Sequence, residues 1–393
     1  MKIVNWQTLF TDHQLYTWQA FQNLLPEPIV HLIAKSESEV RKRQGWKKAN
    51  LEGMEVTCLS PENWWEHGTA ILKKHHNAVH FFGGFWADRR YFPLMLYALW
   101  HGMAVVVMNE SYSTENVGYM SDQHKLLGWV KVKFRPLLYR VAAFTLNAIA
   151  RGSRPAVMAM SNRAVRQFLQ AGFRADQVFP FGYFVPTAAD VDEELPRGAV
   201  GMTRLVFIGS LLQRKGLDIL IEAVSNCHLR GANVILDVYG PGESDRVPLP
   251  SDCVTYKGTI PFGEAQATIA QYDVLVLPSR HDGWGVVVNE ALLQGIPVVA
   301  SENVGAACLV EASGAGVVFR NGDVAGLQEI LQRIADDPAV LRVWRDKASK
   351  VKTLIEPEVA AKYMHDVVKF YFHRKGSRPR LHCCESGERL GYL

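Results

Sequence analysis

Two carboxylates, Asp282 and Glu290, stand eight residues apart in PSRHDGWGVVVNEALLQGIPVV, residues 278–299. Before them, the apolar run Val274 to Leu277 reads as a buried strand that stops at Pro278-Ser279, and a helical pattern follows Gly285. Gly283 and Gly285 flank Trp284, so backbone amides there can approach a ligand closely. Glu290, with Asn289 on the first turns of the helix, can accept two hydrogen bonds from vicinal hydroxyls such as a ribose offers. Asp282 can address another set of hydroxyls, those of a sugar. Taken singly, each acid also reads as the ordinary preference of negative charge for a helix N-terminus.

A second constellation lies upstream in GSLLQRKGLDILIEAV, which follows the apolar run RLVFI. Gly209 ends that strand, a short loop carries Arg214 and Lys215, and Gly216 precedes a helix. Cations beside free N–H groups at a helix start make a seat for a pyrophosphate. Neither a P-loop nor a Gly-x-Gly-x-x-Gly pattern is present here, and alone the loop reads as merely basic and solvated. Cations for a diphosphate together with carboxylates for diols describe a sugar nucleotide.

Strands and helices alternate around these loops, which predicts an α/β fold of parallel sheets wrapped by helices. In the first half, KIVNWQ, AVHFFGG, AVVVMN and AVMAMS read as strands; in the second, RLVFIGS, NVILDVYG, VTYKG, VLVLPS, PVVAS and GVVF do. Between them YFVPTAADVDEELPRGAVGMT lacks apolar periodicity and reads as a linker. The expected organisation is a domain over 1–186, a linker over 187–203, a second doubly wound domain over 204–355, a helix over 356–374 packing back toward the first domain, and an irregular tail over 375–393. Residues 91–109 are uncharged for 19 positions, but Pro93, His101 and Gly102 make a buried helix followed by a strand the reading, rather than a membrane span. In open parallel sheets ligands sit beyond the carboxyl ends of the strands, so a cleft between two such domains is the expected place for chemistry.

The composition is globular: 393 residues, 48% hydrophobic and 21% charged, with net charge +4. Six scattered cysteines, with Cys383 and Cys384 adjacent, fit a reducing compartment; no basic leader with a long apolar core opens the chain, and a cytoplasmic location is expected. Nucleic acid is not an expected partner. Charge is uneven: residues 1–200 carry 22 Lys+Arg against 17 Asp+Glu, and 201–393 carry 21 against 22. From Gln123 to Ala175 there are ten basic residues and no acid, interleaved with large apolar residues. That surface suits anions, an anionic membrane among them; a solvated face is the plainer alternative.

The segments FIGSLLQRKGLDILIEAV, DVYGPGE and YDVLVLPSRHDGWGVVVNEALLQGIPVVASENVGAACLV together resemble the C-terminal domain of retaining nucleotide-sugar glycosyltransferases of the GT-B fold, in particular glycosyltransferase family 4. The resemblance covers residues 204–320 closely and the first half in outline. It implies two Rossmann-like domains facing across a cleft, a nucleotide-sugar donor (UDP-linked by expectation), and a glycan or polyprenyl-diphosphate acceptor. Neither cofactor nor metal is implied; the only Asp-x-Asp, Asp190-Val191-Asp192, falls in the linker. Lys215 with Arg214 would neutralise the leaving diphosphate, where developing negative charge calls for cations. Glu290 would hold the ribose, and Asp282 with the amides of Gly283, Trp284 and Gly285 would grip the sugar. Gly209, Ser210, Gly240 and Val286 complete the implied donor contacts. Asp282 stands where Glu is usual and Ser210 where many members carry Arg. On the acceptor side the candidates are Thr11, Asp12, His13, Gln14, Gly83, Gly84, Trp86, Glu110 and Ser111. His13 reads as an orienting or a structural histidine, and Trp86 as packing or a sugar platform. A phosphorylase, a sugar-nucleotide epimerase, or a silent sugar-nucleotide-binding module stand as alternatives.

Overall fold

The computed structural model describes residues 1–35, 51, 53–114, 125–188, 201–242, 252–261 and 263–381. Strands β1 (Ile3–Gln7), β6 (Ala156–Met160) and β11 (Val274–Leu277) are buried along their whole length. Apolar runs buried on both faces require helices on both sides, which is the parallel-sheet solution. Among the described residues, one seven-stranded sheet has the order β3 (Val56–Cys58), β2 (Val30–Ile33), β1, β4 (Val79–Phe82), β5 (Ala104–Glu110), β6, β7 (Val178–Phe181). A six-stranded sheet has the order β10 (Val254–Gly258), β9 (Val234–Tyr239), β8 (Thr203–Ile208), β11, β12 (Val298–Ser301), β13 (Gly316–Phe319). Every pairing in both is parallel. Two doubly wound sheets of this kind are the GT-B architecture.

Alternation along β1 builds two cores in the first domain. Val4 and Trp6 pack with Phe82, Tyr91 and Leu94, while Ile3 faces Trp18, Phe81 and the aromatic residues of β7. The sequence reading found four strands here; β2, β3 and β7 are additional. They span only three or four residues each, and β7 carries Pro180, which an edge position tolerates because its N–H side needs no partner.

The uncharged 91–109 segment resolves into the helix Tyr91–Trp100 and β5. No described helix is long and apolar enough to cross a membrane. The helix Pro357–His373 starts with Pro at its first position and packs against the helix Asp12–Gln22; Tyr371 meets Phe179 edge-on at 5.8 Å, and Tyr363 stacks on Phe181 at 6.4 Å. Between the domains, Gln266 on the second donates to the Pro186 carbonyl and accepts from the Ala188 amide, at 2.8 and 2.9 Å. Asp190 and Asp192 in the linker, and Cys383 and Cys384 in the tail, lie outside the described residues.

Candidate active site

β8 and β11 are neighbours from which the second sheet grows outward in opposite directions, to β9 and β10 on one side and to β12 and β13 on the other. That reversal leaves a crevice beyond the carboxyl ends of the two strands. Both loops singled out by their chemistry leave these two ends. After β8 the chain makes a 3-10 turn, Gln213–Lys215, and Gly216 at φ +70 turns it into the helix Leu217–Leu229. After β11 it passes Asp282 to Gly285 and enters the helix Val287–Leu293.

Hydrogen bonds fasten the loops to one another. The Arg280 amide donates to the Arg214 carbonyl at 2.8 Å, and its guanidinium donates to the Gln213 carbonyl and, in a fork, to Asp218 at 2.7 and 2.6 Å. A third loop joins through the Asp282 amide on the Asn303 carbonyl (3.0 Å) and the Gly305 amide on the Asp282 carbonyl (3.1 Å). Gly240 is needed for a close approach: a Cβ there would meet the Gly209 carbonyl well under 3.0 Å, at a φ of +149. Ser210 sits in the same junction, with the Leu211 amide held by the Pro241 carbonyl at 2.9 Å.

Lys215 and Asp282 meet directly. The ammonium donates to Asp282 Oδ2 at 2.5 Å with both side chains nearly buried. Burial by itself would raise the Asp282 carboxyl; the Lys215 ammonium, with help from Arg214, outweighs it and holds the group below the ordinary aspartate range. His281 beside it is pushed down to about 4, by burial first and by nearby arginines, so it is neutral at physiological pH. Among the described residues, the backbone N–H groups of Gly283, Trp284, Gly285 and Val286 donate to no protein acceptor. These orphan donors beside a cation are what an anionic ligand requires.

The Glu290 amide donates to the Val286 carbonyl at 3.1 Å, but its carboxyl has no hydrogen-bond or ionic partner among the described residues, and burial raises it from 4.5 to about 7. The folded protein therefore keeps a proton that the unfolded chain has already lost between those values, so this group's contribution to stability falls as pH rises from 4.5 to about 7. The family resemblance implies that Glu290 holds a ribose; a diol donates its hydrogen bonds to a carboxylate, so on that expectation nucleotide affinity should run the other way and increase through pH 7. Calorimetric titration of UDP across that range should show the rise, and Glu290→Gln should flatten it. A wild-type profile without slope would remove Glu290 from the ligand.

The Trp284 indole is not a ligand platform. It is 2% exposed, donates to Asn289 Oδ1 at 2.8 Å, and fills the space that Gly182 leaves next to Phe184 of the first domain. The glycine pattern around it thus serves interdomain packing as well as backbone approach. Glu110, at the end of β5, reaches across to lie against the Gly283 backbone. Arg163 joins the two sides again by donating to Asn303 Oδ1 and, at 3.1 Å, to Thr114.

Two of the other first-domain candidates line a small cavity at the reversal point of the first sheet, between the ends of β1 and β4. Gln14 and Gly83 line it, with Gln7, Thr17, Trp18 and Tyr183. Gln14 donates to the Tyr183 hydroxyl at 3.1 Å, while Gln14 Oε1 and the Thr17 hydroxyl are buried without a partner. His13 shares a hydrogen bond with Thr11 at 3.1 Å and meets the Tyr183 ring edge-on at 5.0 Å. Gly84, at φ +111, lets the chain fold back so that the Phe85 amide reaches Asn109 Oδ1 at 3.0 Å. Trp86 is half exposed and stacks on Phe92 at 4.6 Å, away from this cavity's lining. Sequence reading did not single out Gln7, Thr17, Trp18, Arg280, Asp218 or Asn303, and took Arg163 only as one of the ten bases between Gln123 and Ala175. Only the position of Gln7, polar at the end of an apolar strand, offered a signal.

Sheet order, paired reversal-point crevices and the cross-bonded loops define a GT-B fold. Residues 203–337 match the family model described as Glycosyl transferases group 1. The amylovoran biosynthesis glycosyltransferase AmsK of Erwinia amylovora is 27% identical over 180 residues, 42% of this chain and 44% of that protein. A GDP-mannose-dependent alpha-(1-6)-phosphatidylinositol monomannoside mannosyltransferase of Mycobacterium tuberculosis is 29% identical over 178 residues, with the same two coverages, 42% and 44%. The aligned stretch thus spans less than half the length of these relatives. Among solved structures, Anabaena HepE in complex with UDP-glucose superposes with a TM-score of 0.65 at 17% identity, covering 94% of this chain and 99% of that one. WaaG, a glycosyltransferase involved in lipopolysaccharide biosynthesis, superposes at 0.61 with 15% identity and coverages of 94% and 99%. At these identities the superpositions establish the fold.

Proposed function

We propose that this chain is a glycosyltransferase that moves a sugar from a nucleoside-diphosphate donor, UDP-linked, to a hydroxyl of a glycan or polyprenyl-diphosphate-linked acceptor, with retention at the anomeric carbon as in glycosyltransferase family 4. It works in the cytoplasm, against the inner face of a membrane. The observation that carries this reading is the Lys215–Asp282 pair set beside orphan amides at the second sheet's reversal point, on the same loop and helix as Glu290. Lys215 and Arg214 stabilise the departing diphosphate electrostatically. The amides of Gly283 to Val286 and the Asp282 carboxylate hold the sugar, and Glu290 takes the ribose diol. Glu110, lying against Gly283, brings the acceptor side to the transferred group. No side chain is assigned as nucleophile and no metal is assigned a role. The similarity in fold to HepE, which was solved in complex with UDP-glucose, and the match to group 1 glycosyl transferases support the donor class.

The test is nucleotide release measured over a panel of UDP- and GDP-sugars, with and without a membrane-lipid extract as acceptor. Release that depends on acceptor is expected, with Glu290→Ala lowering it at least about tenfold, or ~1.4 kcal/mol of transition-state stabilisation. Donor consumption without acceptor would replace the reading with a phosphorylase or epimerase. Nucleotide binding without turnover on any donor would leave a silent binding module. Turnover with GDP-sugars alone would overturn the UDP assignment.

A further inference from the structure

We propose that the helix Lys125–Ile149 lies in the surface of an anionic lipid bilayer, its outer apolar face sunk to the acyl-chain boundary and its flanking cations among the headgroups. The helix has two apolar faces. One, with Tyr139, Ala142, Ala143 and Leu146, is buried in the first domain, where Tyr139 meets Phe85 and Phe168. The other carries Val130, Phe134, Leu137, Leu138, Val141 and Phe144, all exposed, Phe134 at 54% and Phe144 at 76%. Their spacing of three and four places them in one stripe along the helix. A continuous apolar stripe facing water marks an interaction surface rather than the scattered exposure of an ordinary monomer.

Charge selects the occupant. Lys133 and Arg140 are exposed along one side of the stripe, and no acid occurs between Gln123 and Ala175. A second copy of the chain would set the same cations against each other, whereas anionic headgroups complement them. An apolar face flanked by cations, on a helix that does not qualify as a membrane span, is the pattern of a helix lying in the interface. Orientation follows from the contacts of its middle turns. Arg135 donates to the Ser113 carbonyl at 3.2 Å, and Tyr112 stacks on Tyr139 at 4.6 Å, so the middle of the helix adjoins the chain leaving β5 at Glu110. Docking thereby places the chain that follows Glu110 near the lipid surface. The use of that position rests on the proposed lipid-borne acceptor; the docking itself does not.

Flotation with vesicles tests it, using mixed phosphatidylcholine–phosphatidylglycerol and pure phosphatidylcholine. The full chain should float with the mixed vesicles at low salt and remain behind with the neutral ones. Phe134→Ser/Phe144→Ser should lower partitioning at least about tenfold, and Lys133→Gln/Arg140→Gln should lower it and flatten its dependence on salt. Both pairs should bind UDP calorimetrically as the wild type does, which shows that folding and the donor site are intact. Failure to float, equal binding to neutral vesicles, or unchanged binding by the phenylalanine pair would overturn the proposal. So would a wild-type dimer in sedimentation that the phenylalanine pair converts to monomer, since that would make the stripe a self-contact. A protein that floats but turns over no donor defeats the transferase reading and leaves the docking surface standing; one that turns over donor and never floats does the reverse.

Discussion

With Lys215 replaced by alanine, nucleotide release should fall by at least about tenfold, ~1.4 kcal/mol, and the loss should have two separable parts. One, on the proposed function, is the missing cation at the departing diphosphate. The other is Asp282, left buried without the ammonium that sits 2.5 Å from it. Removing one member of a buried ion pair costs about 3–5 kcal/mol because the survivor has neither water nor partner. Burial, no longer opposed by Lys215, will raise the Asp282 carboxyl toward protonation. Adding Asp282→Asn to the lysine variant removes the stranded charge. The double variant should regain most of the thermal stability while turnover stays low, and the pair's coupling follows from the four-way cycle. Wild-type turnover in Lys215→Ala would defeat the assignment of the diphosphate seat.

Gly216→Ala should be nearly as damaging, although the glycine touches no ligand in the proposed arrangement. Its φ of +70 costs an ordinary side chain about 1–2 kcal/mol. The added Cβ would also fall well under 3.0 Å from the Pro278 carbonyl, which is backbone and cannot rotate away. The 3-10 turn carrying Arg214 and Lys215 must then move off the loop that carries Asp282. Gly231→Ala is the control, with a φ of +81 and nothing within 4 Å of its Cβ. Thermal denaturation with UDP calorimetry should find Gly231→Ala modestly destabilised and binding as the wild type does, and Gly216→Ala deficient in both. Equal behaviour of the two variants would mean that the contact between the loops does not hold the site.

Much of this was legible in the chain. Buried parallel strands such as β8, β11 and β12 are continuous apolar runs, so they and the two loops leaving β8 and β11 could be read from hydropathy and turn residues; β10 and β13, at the sheet edges and less buried, were read from short β-branched or aromatic runs bounded by glycine. The helix Pro357–His373 was equally plain, through Pro357 and its periodicity. The short strands β2, β3 and β7 were not, since three or four residues hold too little pattern and Pro180 argues against a strand until its edge position is known. The place of the Trp284 indole was not legible either: the flanking glycines speak only of its backbone, and its side chain is packed into the domain junction.

By itself the sequence determined which chemistries were available: two cations, two carboxylates and bare backbone at strand ends, and an acid-free basic stretch. Each is a local property of residue type and spacing. The tertiary structure alone decided partnership. Lys215 meets Asp282 across 67 positions, Arg280 meets Asp218 across 62, and Arg163 meets Asn303 across 140. It also decided that one apolar face of the helix Lys125–Ile149 is buried and the other is not. Such pairings depend on strand order and sheet crossover, and hydropathy along a chain carries no record of which strand lies beside which.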